Sequence, residues 1–229
     1  MQLSNLMPLH AQDQTQLAEV ISVEDPENRN RVQIKLLAFD GVAQQQGQLW
    51  ARVAVPFAGK NKGAFLFPDV GDEVLITFIN GDSRYPVVIG SLWNGRDEAP
   101  ETLGGAGDAI DRWSFVGKKG TRIAIEESAS GQPKIIFATP QGVSVEISDN
   151  SGGEIICQSA GNTITFDSAG VTVNSPAEVA VSASTVKVDS GMVTVNAGMS
   201  SFSGVVKCDT LIATTVVSST YTPGAGNVW

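Results

Sequence analysis

The sequence predicts an all-β protein in which a small N-terminal barrel is followed by a stalk of intertwined β-strands from three chains. Three observations predict this fold: short apolar strands between turn residues at 17–95, a stretch of turn residues at 96–111, and a repeat of seven to eight residues beyond residue 160. With 42% hydrophobic and 17% charged residues, the 229-residue chain is too apolar to be disordered.

The first part is expected to close into a small barrel, because short strands follow each other with no helical period between them. Asn80-Gly81 supplies the positive φ angles of a tight hairpin turn. Residues 96–111 are predicted to be a linker, since Gly, Pro and Asp give them turn chemistry and little to bury. The six predicted strands are 17–24, 31–39, 49–55, 63–67, 73–79 and 85–92.

Residues 112–220 are predicted to form the stalk. In its repeats two apolar residues flank one residue that is usually polar, so each short strand has one buried and one wet face. A single-chain solenoid needs longer coils to enclose a core, whereas three chains can each add one strand to a triangular layer. A low-complexity linker and an ordinary β-sandwich remain alternatives. The expected stalk core comprises Ile164, Phe166, Val171, Val173, Val179, Val181, Val186, Val188, Val193 and Val195.

Several segments resemble one known family. The residues at 51–63, 67–74, 80–82 and 86–95, together with Asp25-Pro26 and Arg31-Val32 of the first hairpin, are similar to the OB domain of contractile-tail spikes. That family includes the phage baseplate assembly protein V and VgrG-type spikes. Residues 117–123 resemble the start of the family's stalk. The resemblance therefore implies an OB-fold barrel followed by a triple-stranded β-helix.

The resemblance also implies a function. It predicts a homotrimeric central spike whose OB domain and N-terminal residues 1–16 contact a baseplate hub protein, while the stalk points toward the target cell envelope. Sheath contraction would drive the spike through that envelope mechanically. The protein is expected to be assembled in the bacterial cytoplasm and to reside in the baseplate of a virion or injection particle.

Two features depart from the family's patterns. The linker occupies the position where some members carry a lysozyme-like domain, so lytic activity is not implied. The only histidine is His10, so the His-X-His iron site of some spike tips is absent. We therefore expect residues 221–229 to bind a separate PAAR-type tip protein, although Trp229 could instead fold back on its own trimer. The expected cap-binding residues are Tyr221, Pro223, Val228 and Trp229.

No catalytic, cofactor or metal site is predicted, and the chain is expected not to be an enzyme. Asp72 and Glu73 are neighbours in a predicted strand and should point to opposite faces, and Cys157 and Cys208 lack a second pair of zinc ligands. One alternative is a trimeric tailspike that binds or degrades glycans, which would need paired carboxylates in a cleft.

The other alternative is an OB-fold nucleic-acid binder. Such a protein needs aromatic side chains in a basic groove. The alternation of Phe65, Phe67 and Phe78 suits a barrel core instead, and a net charge of −9 opposes binding to phosphate backbones.

Overall fold

The computed structural model describes residues 15–39, 48–104 and 109–220. The chain divides into two compact units, Met1–Glu178 and Val179–Trp229. Every regular strand in the described ranges lies in the first unit. Among the described residues, no helix combines the length and the hydrophobicity needed to cross a membrane.

The predicted barrel is confirmed. Five strands close it in the order β1-β2-β3-β7-β6, and all neighbours are antiparallel except β3 and β7, which pair in parallel through Arg52–Val53 and Val87–Val88. A two-stranded hairpin, β4–β5, lies outside this barrel. The strands are β1 (Gln16–Ser22), β2 (Arg31–Leu36), β3 (Gln48–Val53), β4 (Ala58–Gly59), β5 (Lys62–Gly63), β6 (Glu73–Phe78) and β7 (Pro86–Leu92).

Alternation along these strands builds the barrel core. In β6 every second residue is buried, and in β2 Val32 and Ile34 are, because successive side chains of a strand point to opposite faces. Each large aliphatic side chain fully removed from water contributes about 1.5–3 kcal/mol. The largest fully buried side chains are Val20, Val32, Ile34, Val74, Ile76 and Val88.

The predicted fourth strand, 63–67, is wrong. The chain turns at Asn61, whose φ is 56°, and forms the β4–β5 hairpin, after which residues 64–69 pair with no barrel strand. Phe78 is buried and Phe67 packs against the core, as expected, but Phe65 is 77% exposed. Alternation alone did not reveal that this segment leaves the sheet.

The turn predicted at Asn80-Gly81 has the expected backbone, with φ of 53° and 70°. The loop is longer than a two-residue hairpin, because the β6–β7 ladder ends at Phe78 and Pro86. Asp82 closes the loop by accepting hydrogen bonds from the backbone and guanidinium of Arg84.

Beyond the linker, seven strands form one antiparallel sheet in chain order. The last three strands pair with one another within the single chain. Ala160 and Gly161, with φ of 49° and 81°, make the tight turn that allows it. The expected alternation of strands from three chains stays a prediction. The strands are β8 (Arg112–Val116), β9 (Arg122–Glu126), β10 (Lys134–Ala138), β11 (Ser144–Ser148), β12 (Glu154–Ser159), β13 (Asn162–Asp167) and β14 (Gly170–Asn174).

The second unit is described from residue 179 to residue 220. Within those residues no helix or strand is formed, and every residue is exposed.

Candidate trimerisation surface

One face of the β8–β14 sheet, here called the apolar face, carries two rows of side chains that cross all seven strands. Cross-strand partners share a face, so the register alone aligns these residues. The first row is Trp113, Ile125, Ile135, Ile147, Ile155, Phe166 and Val171, and the second is Phe115, Ile123, Phe137, Val145, Cys157, Ile164 and Val173.

The apolar face lacks a cover within this chain. Twelve of its fourteen side chains are exposed, by 37% to 65%. Aromatic side chains bury about 150–250 Å² each and aliphatic ones somewhat less, so roughly half exposure of twelve leaves on the order of 1,000 Å² of apolar surface. Monomeric proteins seldom expose contiguous apolar patches above about 600 Å². The face therefore has the properties of an interface.

The opposite face of the sheet combines apolar side chains, namely Ile136, Ile156 and the buried Ala124, with charged side chains that pair within the chain. Arg122 donates to Glu126 at 2.6 Å and to the two carboxylate oxygens of Glu101 at 2.7 and 3.0 Å. Lys134 bridges Glu126 and Glu146 at 3.4 and 3.7 Å. The hydrogen bond from Arg122 lowers the pKa of Glu101 to about 2. Glu101 thus ties the predicted linker to this face, although that segment was expected to have little to bury.

The predicted stalk-core residues fall into two groups. Ile164, Phe166, Val171 and Val173 lie on the apolar face, in register with each other. The other six lie in the second unit, where they are 60–73% exposed in the single chain; they are Val179, Val181, Val186, Val188, Val193 and Val195. Their packing around a common axis stays a prediction.

The expected cap-binding residues Tyr221, Pro223, Val228 and Trp229 lie outside the described residues. The ten members of the apolar face between Trp113 and Cys157 were not among the predicted stalk-core residues. Their signal was present, because each strand shows the same spacing of two apolar residues around one other residue. The unequal turns between these strands hid the repeat.

The first barrel hairpin holds the most enclosed ion pair. The Asp25 carboxylate, 4% exposed, accepts two bonds from the Arg31 guanidinium at 2.7 and 3.1 Å and further bonds from the backbone of Glu27, Arg29 and Arg31. These bonds, with that of the guanidinium foremost, hold the pKa of Asp25 well below its usual range despite its burial. Asp25 therefore fixes the loop between β1 and β2.

Asp72 and Glu73, expected on opposite faces, line one cavity together with Asp97, Glu98 and Lys118. Asp72 precedes β6, so the alternation of the strand does not apply to it. Burial raises the pKa of Asp72, and the charge of Asp97 raises it further. Within the described ranges, no three His, Cys, Asp or Glu residues are grouped so that they could hold a metal ion.

A closed β-barrel followed by a sheet with one uncovered apolar face is typical of a protein that associates with other chains. Residues 16–93 match the Type VI secretion system/phage-baseplate injector OB domain, and residues 134–199 match the phage baseplate V C-terminal trimerisation domain. The chain belongs to the family of phage baseplate V and VgrG-like spike proteins.

Individual relatives match a shorter stretch. The chain is 34% identical over 61 residues to the Type VI secretion system spike protein VgrG3 of Vibrio cholerae, which covers 27% of this chain and 6% of the relative. It is 33% identical over 61 residues to VgrG1a of Pseudomonas aeruginosa, again 27% of this chain and 10% of the relative. A third relative, 34% identical over 59 residues, is named actin cross-linking toxin VgrG1 of Vibrio cholerae; that match covers 26% of this chain and 5% of the relative. The matches thus span at most a tenth of these relatives.

Proposed function

We propose that three copies of this chain form the central spike of a contractile tail or contractile injection system. The observation that carries the proposal is the apolar face, whose two rows run across seven strands without a cover. The match of residues 134–199 to a trimerisation domain supports it. Three sheets that turn their apolar faces toward a common axis bury these rows together.

The energetics favour association. Covering a side chain that is already half buried contributes about half of the 1.5–3 kcal/mol of full burial, so twelve of them contribute on the order of 10 kcal/mol per chain before entropy losses.

The repeat in residues 179–220 also supports association between chains. Their valines retain the spacing of the repeat, yet no strand forms among them in one chain. Short strands whose hydrogen-bonding partners lie on other chains have this property, because an isolated strand leaves its backbone groups unpaired. In the proposed spike these residues pair between three chains, with the valine pairs from Val179 to Val195 facing the axis.

The role of such a spike is mechanical rather than enzymatic. The barrel docks beneath the baseplate hub, and the stalk crosses the target envelope when the sheath contracts. Strands that pair between chains open only when several chains separate, so local unfolding of the stalk is costly. Residues 221–229 hold a PAAR-type tip protein.

Native mass spectrometry of the full chain tests the trimer. A mass of about 72 kDa, three times the 24.0 kDa of one chain, is expected, and a mass of 24.0 kDa would refute the proposal.

Cys157, in the second row of the apolar face, reports on the burial of that face once Cys208 is replaced by serine. Its thiol should resist an aqueous thiol reagent in the native trimer and react after denaturation.

A truncation after Thr220 tests the cap. The truncated chain should remain a trimer of nearly unchanged mass but should no longer co-purify with a PAAR-type protein. The single change Trp229→Ala serves as the finer variant. Undiminished binding by both variants would assign the cap to another surface.

A further inference from the structure

A groove follows the segment between β5 and β6 on the barrel. Its middle is formed by Val53, Phe65 and Phe67, where two adjoining cavities share these residues. The rings of Phe65 and Phe67 lie 4.6 Å apart, and Phe65 and Leu66 are exposed. Because this segment pairs with no barrel strand, its apolar side chains are partly exposed to solvent.

One end of the barrel groove is cationic. Arg29, Arg52 and Lys62 line it, and no described acidic residue does. Glu27 neutralises part of this charge, since it contacts Arg29 at 3.0 Å. Within 15–39, 48–104 and 109–220, Arg52 and Lys62 form no ion pair.

The other end of the barrel groove is acidic. Asp72 and Ser91 are shared with the next cavity, which Glu73, Asp97 and Glu98 also line. Lys118 is the one cation among its described lining residues and contacts Asp69, and Arg96 contacts Asp97 at 3.4 Å. Glu98 forms no ion pair with any residue of the described ranges. The groove therefore runs from a positive end, past an exposed phenylalanine, to a negative end.

We propose that the barrels of neighbouring copies contact each other head to tail, with the cationic end of one barrel groove receiving the acidic end of the next. This inference rests on the proposed trimer. A contact between two different patches of the same chain is heterologous, and it closes into a ring when the rotation between copies is one third of a turn. Each copy then donates one cationic end and one acidic end, so the ring leaves neither end unmatched.

A second copy fits the groove better than a nucleic acid does. A polyanion bound at Arg52 and Lys62 would continue toward Asp72 and Glu98, where like charges repel it, and the net charge of −9 opposes its approach. The contact need not be strong by itself. Once the stalks join three chains, the barrels face each other at an effective concentration in the millimolar range.

Carbodiimide coupling of the full-length native protein tests the contact, because it joins a lysine amine to a carboxylate only where the two already touch. Chains labelled with nitrogen-15 and unlabelled chains are co-assembled, so that a mixed-isotope peptide proves a link between copies. We expect mixed peptides that join Lys62 to Glu98 or Asp97. The Lys62→Arg variant keeps the charge but cannot be coupled there, so it should lose these peptides while its native mass remains that of a trimer.

A charge exchange gives an independent measurement. Lys62→Glu should raise amide hydrogen exchange at residues 57–67 in the trimer, and Glu98→Lys in the same chain should restore protection, because the exchanged pair attracts again. In the matched control, Lys118→Glu takes the place of Lys62→Glu beside Glu98→Lys. Lys62 then faces a like charge at position 98, so protection at residues 57–67 should stay lowered.

The outcomes separate the two proposals. A native trimer with no Lys62 link between copies, or with links inside one chain only, overturns the head-to-tail contact and leaves the spike intact. A monomer overturns both. Binding of a single-stranded oligonucleotide at physiological ionic strength, lost on Lys62→Glu and accompanied by no link between copies, would assign the groove to a polyanion instead.

Discussion

Replacing Ile164 by glutamate is expected to dissociate the proposed trimer. Ile164 lies in the second row of the apolar face, opposite Cys157 and Val173, and is 40% exposed in the single chain. The trimer removes only that remaining exposure, worth about 0.6–1.2 kcal/mol per chain. An unpaired carboxylate in the same place costs several kcal/mol, so three copies lose on the order of 10 kcal/mol per trimer.

Two matched variants isolate the cause. Thr163→Glu places the same charge one residue away on the opposite face, where Thr163 lies between Gln158 and Asn174; its trimer should persist. Ile164→Gln removes the same apolar contact without adding a charge, and it should weaken the trimer by less.

The pH dependence provides a further readout. In the Ile164→Glu trimer, burial and the two like charges raise the pKa of the introduced carboxyl above the ordinary glutamate value of about 4.3. The charge penalty is therefore full at high pH and shrinks as the pH falls through the raised pKa, so trimers should reappear toward about pH 5.5, and Ile164→Gln should show no such recovery. Native mass spectrometry and light scattering measure the trimer fraction. If the Ile164→Glu trimer melts at the temperature of the wild type, the apolar face is not the interface. The same conclusion follows if Thr163→Glu lowers the trimer fraction as much as Ile164→Glu does.

Three further predictions concern stability, measured by thermal unfolding. Glu101→Gln removes an acceptor of Arg122. Because the pKa of Glu101 is lowered to about 2 from 4.5, the contribution of this carboxylate to stability is full above pH 4.5 and is lost as the pH falls toward 2. The variant should therefore be less stable than the wild type at neutral pH and should lose less stability on acidification. Asp25→Asn should lower the melting temperature of the barrel more than Asp82→Asn does, since the Asp82 side chain is 29% exposed against 4% for Asp25; equal effects would contradict the locking role of Asp25. Ala160→Gly should stabilise the β12–β13 turn by about 0.5–1 kcal/mol, because Ala160 has a φ of 49° that glycine adopts without strain, and a loss of stability would contradict this.

Much of the fold could be predicted because a strand with one buried face alternates apolar and polar residues in its own sequence. The predicted strands 31–39 and 73–79 alternate apolar and polar residues, and the structure buries the apolar Val32, Ile34, Val74 and Ile76 within them. The same rule predicts that Ile164, Phe166, Val171 and Val173 share a face. A period of two fixes the face of each residue whatever the partner of the strand is.

Periodicity could not predict which strands become neighbours. The segment 63–67 alternates like a strand but leaves the sheet after the β4–β5 hairpin, and β12–β14 pair within one chain because a tight turn at Ala160-Gly161 joins the first two. Pairing depends on turn geometry and on residues distant in sequence. Asp72, just outside β6, shows the same limit, since one residue decides whether alternation applies.

The sequence by itself determined the barrel, the repeat and the alternation of apolar side chains along each strand, because each depends on the local order of side chains. Only the tertiary structure decided that the apolar residues of seven strands form two continuous rows, and that Arg52 and Lys62 lie at one end of a groove whose other end holds Asp72 and Glu98. Both results depend on cross-strand register and barrel closure. These bring together residues that are far apart in the chain, and no local pattern encodes that proximity.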